Sequence, residues 1–183
     1  IDDVDGDITS AIEISSNVDT NVEGTYEVVY SVFDSSGNTT SETRIVEVNG
    51  NPIYLDENGI TIKAYNWAEP GMTGVINGVT YTIVDNETLY NMSKCDFPTA
   101  VTTFVTSMGG LLAVSDNLVY CQDGGTYLYD PDISSWDVSN VTNMSSMFMN
   151  NKFFNADIGA WDVSNVTTMY VMFRNTGGIN SVA

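Results

Sequence analysis

The sequence predicts a mainly β chain with short helices, organised as a partial β-sandwich followed by a capped β/α solenoid built on a 25-residue repeat. Three observations predict it. The first quarter alternates apolar and polar residues around a Gly-Asn turn; the middle carries an Asn-Gly pair between two extended runs; and a thirteen-residue phrase recurs near the end.

Residues 26–33 read Tyr-Glu-Val-Val-Tyr-Ser-Val-Phe, which puts Tyr26, Val28, Tyr30 and Val32 on one strand face and Val29 and Phe33 on the other. Asp34-Ser35-Ser36-Gly37-Asn38 supplies turn-tolerant residues, and residues 43–48 return as the hairpin partner. A further short strand is expected over residues 11–15. Three strands fall short of the roughly seven that close an immunoglobulin-type sandwich. Residues 1–49 are therefore expected to be an incomplete domain; with no leader-like run and no initiator Met at its start, residue 1 reads as an internal position of something longer.

This stretch carries a resemblance. Asp5-Gly6-Asp7-Ile8-Thr9, Val18-Asp19-Thr20, Gly24-Thr25-Tyr26, Val28-Val29-Tyr30, Asp34-Ser35-Ser36-Gly37-Asn38 and Val46-Glu47-Val48 resemble the C-terminal part of a bacterial immunoglobulin-like surface domain. The resemblance implies a spacer or stalk in a secreted or cell-surface protein.

Residues 50–58, with Gly50, Asn51 and Pro52, read as a linker. Residues 59–100 read as a cap. Residues 71–76 run into Asn77-Gly78 and out through residues 79–84, a pairing favoured where both central turn residues need positive φ. Asp85 is positioned to cap a helix that begins near Asn86 and carries Leu89, Tyr90 and Met92, with Lys94 favourable at its end.

Residues 101–183 hold the repeat. Trp136-Asp137-Val138-Ser139-Asn140-Val141-Thr142-Asn143-Met144-Ser145-Ser146-Met147-Phe148 recurs 25 residues later as Trp161-Asp162-Val163-Ser164-Asn165-Val166-Thr167-Thr168-Met169-Tyr170-Val171-Met172-Phe173, with ten of thirteen residues identical. A degenerate copy lies 36 residues upstream of the first phrase, where Val105, Met108, Leu111 and Leu112 match Val141, Met144, Met147 and Phe148. The extra residues hold Cys121 and Gly124-Gly125. Spacing i, i+3, i+6, i+7 predicts a short helix over residues 141–148, capped by Ser139 or Asn140, after an extended run over residues 133–138. Such a unit cannot bury its apolar side alone, whereas stacking on a like neighbour makes a continuous core. No second cap is expected after the last copy.

The repeated phrase resembles the BspA-type, leucine-rich-repeat-like (LRR-like) modules of bacterial surface proteins. That resemblance implies extracellular attachment or protein contact and no catalytic role.

Composition narrows function further. With 24 acidic side chains, 5 basic ones and no histidine, the formal charge is −19. Nucleic acid is disfavoured, because phosphate binding rests on Lys and Arg displacing counterions. Ser-His-Asp, Cys-His and His-based zinc chemistry are excluded. No apolar run is long enough for direct membrane insertion.

Several residues have two readings. Asp3, Asp5 and Asp7, with Asp2, offer hard oxygens to Ca²⁺, but their spacing departs from an EF-hand loop; the other reading is a solvated acidic edge. Cys95 and Cys121 are either one disulfide or two buried thiols. Asp137 and Asp162 could be paired carboxylates of a glycoside hydrolase, yet a residue that recurs with the period serves structure, while an active site is assembled once. Trp136 and Trp161 could line a binding strip but are read as packed between coils, and Met144, Met147, Met169 and Met172 as core filler. The expectation is a non-enzymatic extracellular or cell-surface fragment without cofactor, Ca²⁺ apart. Its partners would be a protein or cell-surface ligand, or other copies of itself in a surface fibre.

Overall fold

The computed structural model describes residues 3–20, 22–114 and 130–177. It divides the chain into two compact units, Ile1–Gly50 and Asn51–Ala183.

Unit one is an antiparallel sheet of β1 (Glu13–Ser16), β2 (Gly24–Phe33) and β3 (Thr39–Val48), in that order. The expected hairpin is present, with Tyr30 opposite Glu42 and Phe33 opposite Thr39. Gly37 takes φ +84°, and its neighbour Asn38 closes the turn on Asp34: the Asn38 N–H donates to the Asp34 carboxylate at 2.7 Å and the Asp34 N–H to the Asn38 carbonyl. Ile14, Phe33 and Ile45 stay exposed.

Unit two opens with β4 (Ile53–Leu55), which pairs antiparallel with β5 (Ile62–Ala64). The expected linker over residues 50–58 is thus corrected. Ile53, Ile62 and Ala64 alternate onto one face and are buried with Ile83 and Val101, so apolar burial recruits these residues into the folded unit. The predicted hairpin is β6 (Thr73–Ile76) and β7 (Val79–Ile83) around Asn77 (φ 51°) and Gly78 (φ 81°). β8 (Ala100–Val101) adds in parallel to β7. Between them lies helix α1 (Asn86–Asn91), where the Asp85 carboxylate accepts from the Thr88 N–H at 2.8 Å. A 3₁₀ helix, Lys94–Thr99, follows.

The repeats stack in the register expected from the sequence. Parallel bridges join Ser107 to Asn143 and Asn143 to Thr168, offsets of 36 and 25 residues. Within each copy, however, neither the predicted helix over residues 141–148 nor the extended run over residues 133–138 forms. These residues make successive turns. The reason lies in the backbone donors: the N–H groups of Met147, Met149 and Asn151 donate three residues back, while those of Met144, Ser146, Phe148 and Asn150 leave the copy for the next one. Alternate donors are therefore lost to any i→i−4 ladder. Ser146 and Asn150 take positive φ to permit this, as do Val171 and Asn175. The core is continuous from Val84, Leu89 and Phe97 in the cap through Val105, Met108, Val141 and Met144 to Trp161 and Met172.

Candidate functional site

The recurring Trp-Asp pair is the most distinctive feature of the stack. Trp136 is fully buried and Trp161 nearly so. Their rings lie parallel, with centroids 6.4 Å apart, and Phe97 tilts onto Trp136 from the cap side at 5.2 Å. Each indole N–H reaches back one coil, Trp136 to the Phe97 carbonyl at 3.0 Å and Trp161 to the Ile133 carbonyl at 3.2 Å. Phe97 and Ile133 are themselves 36 residues apart, so the degenerate coil begins near Asp96, ahead of the expected boundary at residue 101.

Asp137 and Asp162 do the same work in successive coils. The Asp137 carboxylate accepts from the Ser139 N–H at 3.1 Å and its hydroxyl at 2.6 Å; Asp162 accepts from the Ser164 N–H at 3.0 Å. The Ser164 hydroxyl and amide hold the Asp162 carboxyl below its ordinary value. Both aspartates line a cavity of about 30 Å³ with Asp56, Lys63 and Trp136. Lys63 pairs with Asp56 at 2.9 Å, a contact that raises the Lys63 pKa and lowers that of Asp56. A space that size holds one water, against the several hundred Å³ typical of ligand pockets.

Ser139 and Asn140 do not cap a helix. The Asn140 amide donates to the Thr103 carbonyl at 2.9 Å and Asn165 repeats the bond to Ser139 at 2.7 Å, so these side chains lace coil to coil. Val141, Met144, Met147 and Phe148 are fully buried, as expected. In the next copy Met172 is buried and Val166 and Phe173 are half-buried, but Met169 is exposed. It therefore does not serve as the core filler expected of it, because no further coil among the described residues covers its side.

Sequence reasoning missed three features. Asp132-Ile133 recurs as Asp157-Ile158 at the same offset of 25, and Asp132 and Asp157 each accept from an N–H two residues on, at 3.1 Å and 2.8 Å. Buried Asn151 donates to the Leu112 carbonyl and accepts from the N–H groups of Phe153 and Phe154. The first lay within reach of a longer alignment of the two copies; Asn151 did not, because its equivalent 25 residues on is Thr176. The third is an aromatic ridge in unit two, where Tyr65 sits between Tyr54 (4.7 Å) and Trp67 (6.1 Å, nearly parallel), with Tyr65 exposed. Its signal was the Tyr65-Asn66-Trp67 run.

In unit one the acidic cluster does not converge. The Asp5 carboxylate accepts from the Ser35 N–H at 2.9 Å and hydroxyl at 2.7 Å. Asp7 accepts from the hydroxyl and N–H of Thr9, which together lower its pKa. Among the described residues no group of three His, Cys, Asp or Glu side chains is placed to hold a metal ion; of Asp3, Asp5 and Asp7, Asp7 closes a local turn on Thr9 and Asp5 reaches Ser35 instead. Cys95 is disulfide-bonded. Cys121 lies outside the described residues.

Among the described residues no helix is long and apolar enough to cross a membrane. Residues 1–48 match the family model described as bacterial surface protein, Ig-like domain, which points to a surface protein. Residues 119–182 match the model described as Mycoplasma protein of unknown function, DUF285. Neither a curated relative nor a solved structure matches the chain.

Proposed function

We propose that this chain is part of a non-enzymatic, extracellular surface protein in which an LRR-like solenoid of BspA-type coils makes adhesive contacts and the Ig-like unit serves as a stalk. The observation that carries this reading is the identical use of Asp137 and Asp162, each accepting from the serine two residues on beside a buried tryptophan. Groups repeated for architecture leave no unique acid and base for hydrolysis. The ridge of Tyr54, Tyr65 and Trp67 offers the aromatic surface that protein and glycan contacts favour.

The test is surface plasmon resonance of the full chain against purified matrix proteins and surface glycans, beside its Tyr65→Ala variant. Saturable binding weakened about tenfold by the substitution is the expected result. Carbohydrate turnover that disappears in Asp137→Ala and Asp162→Ala would sink the reading in favour of a glycosidase. A second reading, a fibre subunit completed by neighbouring copies, is favoured by β1, an outer strand exposed along its whole length. Ordered polymers in the electron microscope would support it over a monomeric adhesin.

A further inference from the structure

The outer face of the β4–β5 pair combines aromatic rings with negative charge. Tyr54 and Lys63 are directly opposed across the pair, while Ile53 and Ala64, one residue away on each strand, are buried; Tyr54 and Lys63 therefore point away from that core. Tyr65 and Trp67 continue the row beyond Lys63. The Tyr65 N–H donates to the Pro52 carbonyl at 3.0 Å, the Ala68 N–H donates to the Tyr65 carbonyl at 3.1 Å, and Trp67 packs against the cluster of Ile53, Ile62 and Ala64. The rings are thus held in place before a partner arrives, so little ordering opposes binding.

Charge on this face is one-sided. The Ile62 N–H donates to the Ser135 carbonyl at 2.8 Å, which brings β5 beside the first Trp-Asp phrase. Asp137 and Asp162 consequently gather with Asp56 around the ammonium of Lys63, and Lys63 is already paired with Asp56 at 2.9 Å. Three carboxylates against one ammonium leave the cluster negative. Glu57 and Glu69, both exposed, flank the ridge residues in sequence.

We infer that the ridge of Tyr54, Tyr65 and Trp67 docks an arginine-bearing, positively charged protein segment; this rests on the adhesive reading of the ridge and names the class of its partner. A guanidinium stacks flat on a Tyr or Trp ring and keeps N–H groups free for a carboxylate. The exposed Tyr65 ring supplies the face, and the carboxylates beside Lys63 supply the charge. A formal charge of −19 draws such a segment in from a distance. An anionic glycan is repelled by the same field, and a neutral one carries no charge for it to attract.

The test is isothermal titration calorimetry of the full chain with a blocked peptide of alternating glycine and arginine, its lysine and citrulline counterparts, and maltohexaose as a neutral glycan. The arginine peptide should bind most tightly and the citrulline peptide least, with affinity falling as NaCl is raised from about 0.05 M to about 0.3 M. Tyr65→Leu should weaken the arginine peptide about fivefold, whereas Tyr65→Phe, which keeps the ring, should not. Asp162→Asn should weaken it about twofold, and Glu42→Gln, which removes a charge from unit one, should leave it unchanged. Equal losses in Asp162→Asn and Glu42→Gln, or no effect of Tyr65→Leu on the arginine peptide, would overturn the inference by assigning the binding to overall acidity. Maltohexaose bound more tightly than the arginine peptide, and lost in Tyr65→Leu, would overturn it while leaving the ridge an adhesive surface. Binding of neither probe that responds to Tyr65→Leu would take the adhesive reading of the ridge down with it.

Discussion

Residues 136–148 and 161–173 share ten of thirteen residues, yet they live in different surroundings. Val138 is 1% exposed and its equivalent Val163 42%; Met144 is fully buried and Met169 is 43% exposed. The first phrase lies between two coils, while the second is covered on one side by described residues. Burial in this stack is thus a property of having a neighbour on each side, and nearly identical side chains contribute very different amounts to stability.

The largest expected effect tests the tryptophan column. Trp136→Ala should cost about 4 kcal/mol in denaturant unfolding, because a filled interior site is emptied and the Phe97 carbonyl loses its donor. Trp161→Ala should cost about half as much. Equal losses would break the comparison.

Next come the methionines. Met144→Ala should cost about 3 kcal/mol and Met169→Ala under about 1 kcal/mol, read from the same unfolding curves. A Met169→Ala cost as large as that of Met144→Ala would mean that the outer side of the last copy is covered in solution.

A smaller effect of opposite sign is expected at Val171. It sits at φ 50° where its equivalent Ser146 sits at φ 58°, and a β-branched residue is poorly suited to that region. Val171→Asn should stabilise unit two by about 0.5–1 kcal/mol, seen as a higher unfolding midpoint. No gain would mean that the Val171 side chain makes compensating contacts.

The smallest effect is the pH dependence. Asp162 is held below its ordinary value by Ser164, and Asp85 by Thr88. A carboxylate whose folded pKa is depressed adds stability above the unfolded value of about 3.8, and that contribution fades as the pH falls through the folded value. Thermal unfolding should therefore change little from these groups between pH 7 and pH 5 and fall below about pH 4. In Asp162→Asn the acid-side decline should be shallower.

Much of this was legible residue by residue. Asn77-Gly78 announced its hairpin because few other pairs accept two positive φ angles. Asp85 announced its helix because a carboxylate satisfies otherwise unpaired amides. The period of 25 announced both register and stacking. The helix expected over residues 141–148 failed because apolar spacing reports which side chains point inward and says nothing of where the N–H groups go. Ile53 and Leu55 were hidden in a supposed linker because a three-residue strand carries too little pattern. At the acidic cluster, spacing in sequence did not show that Asp5 would accept from Ser35, 30 residues on, and Asp7 from Thr9.

By itself, then, the sequence determined the repeat, its offset, the turn at Asn77-Gly78 and the exclusion of histidine chemistry, since these depend on residue identity and local backbone preference. Only the tertiary structure decided that alternate amides cross between coils and that Asp137 and Asp162 are used alike. Those outcomes depend on which groups meet across 25 or 36 residues, and a hydrogen bond between distant groups is fixed by the stacking that brings them together, not by either residue alone.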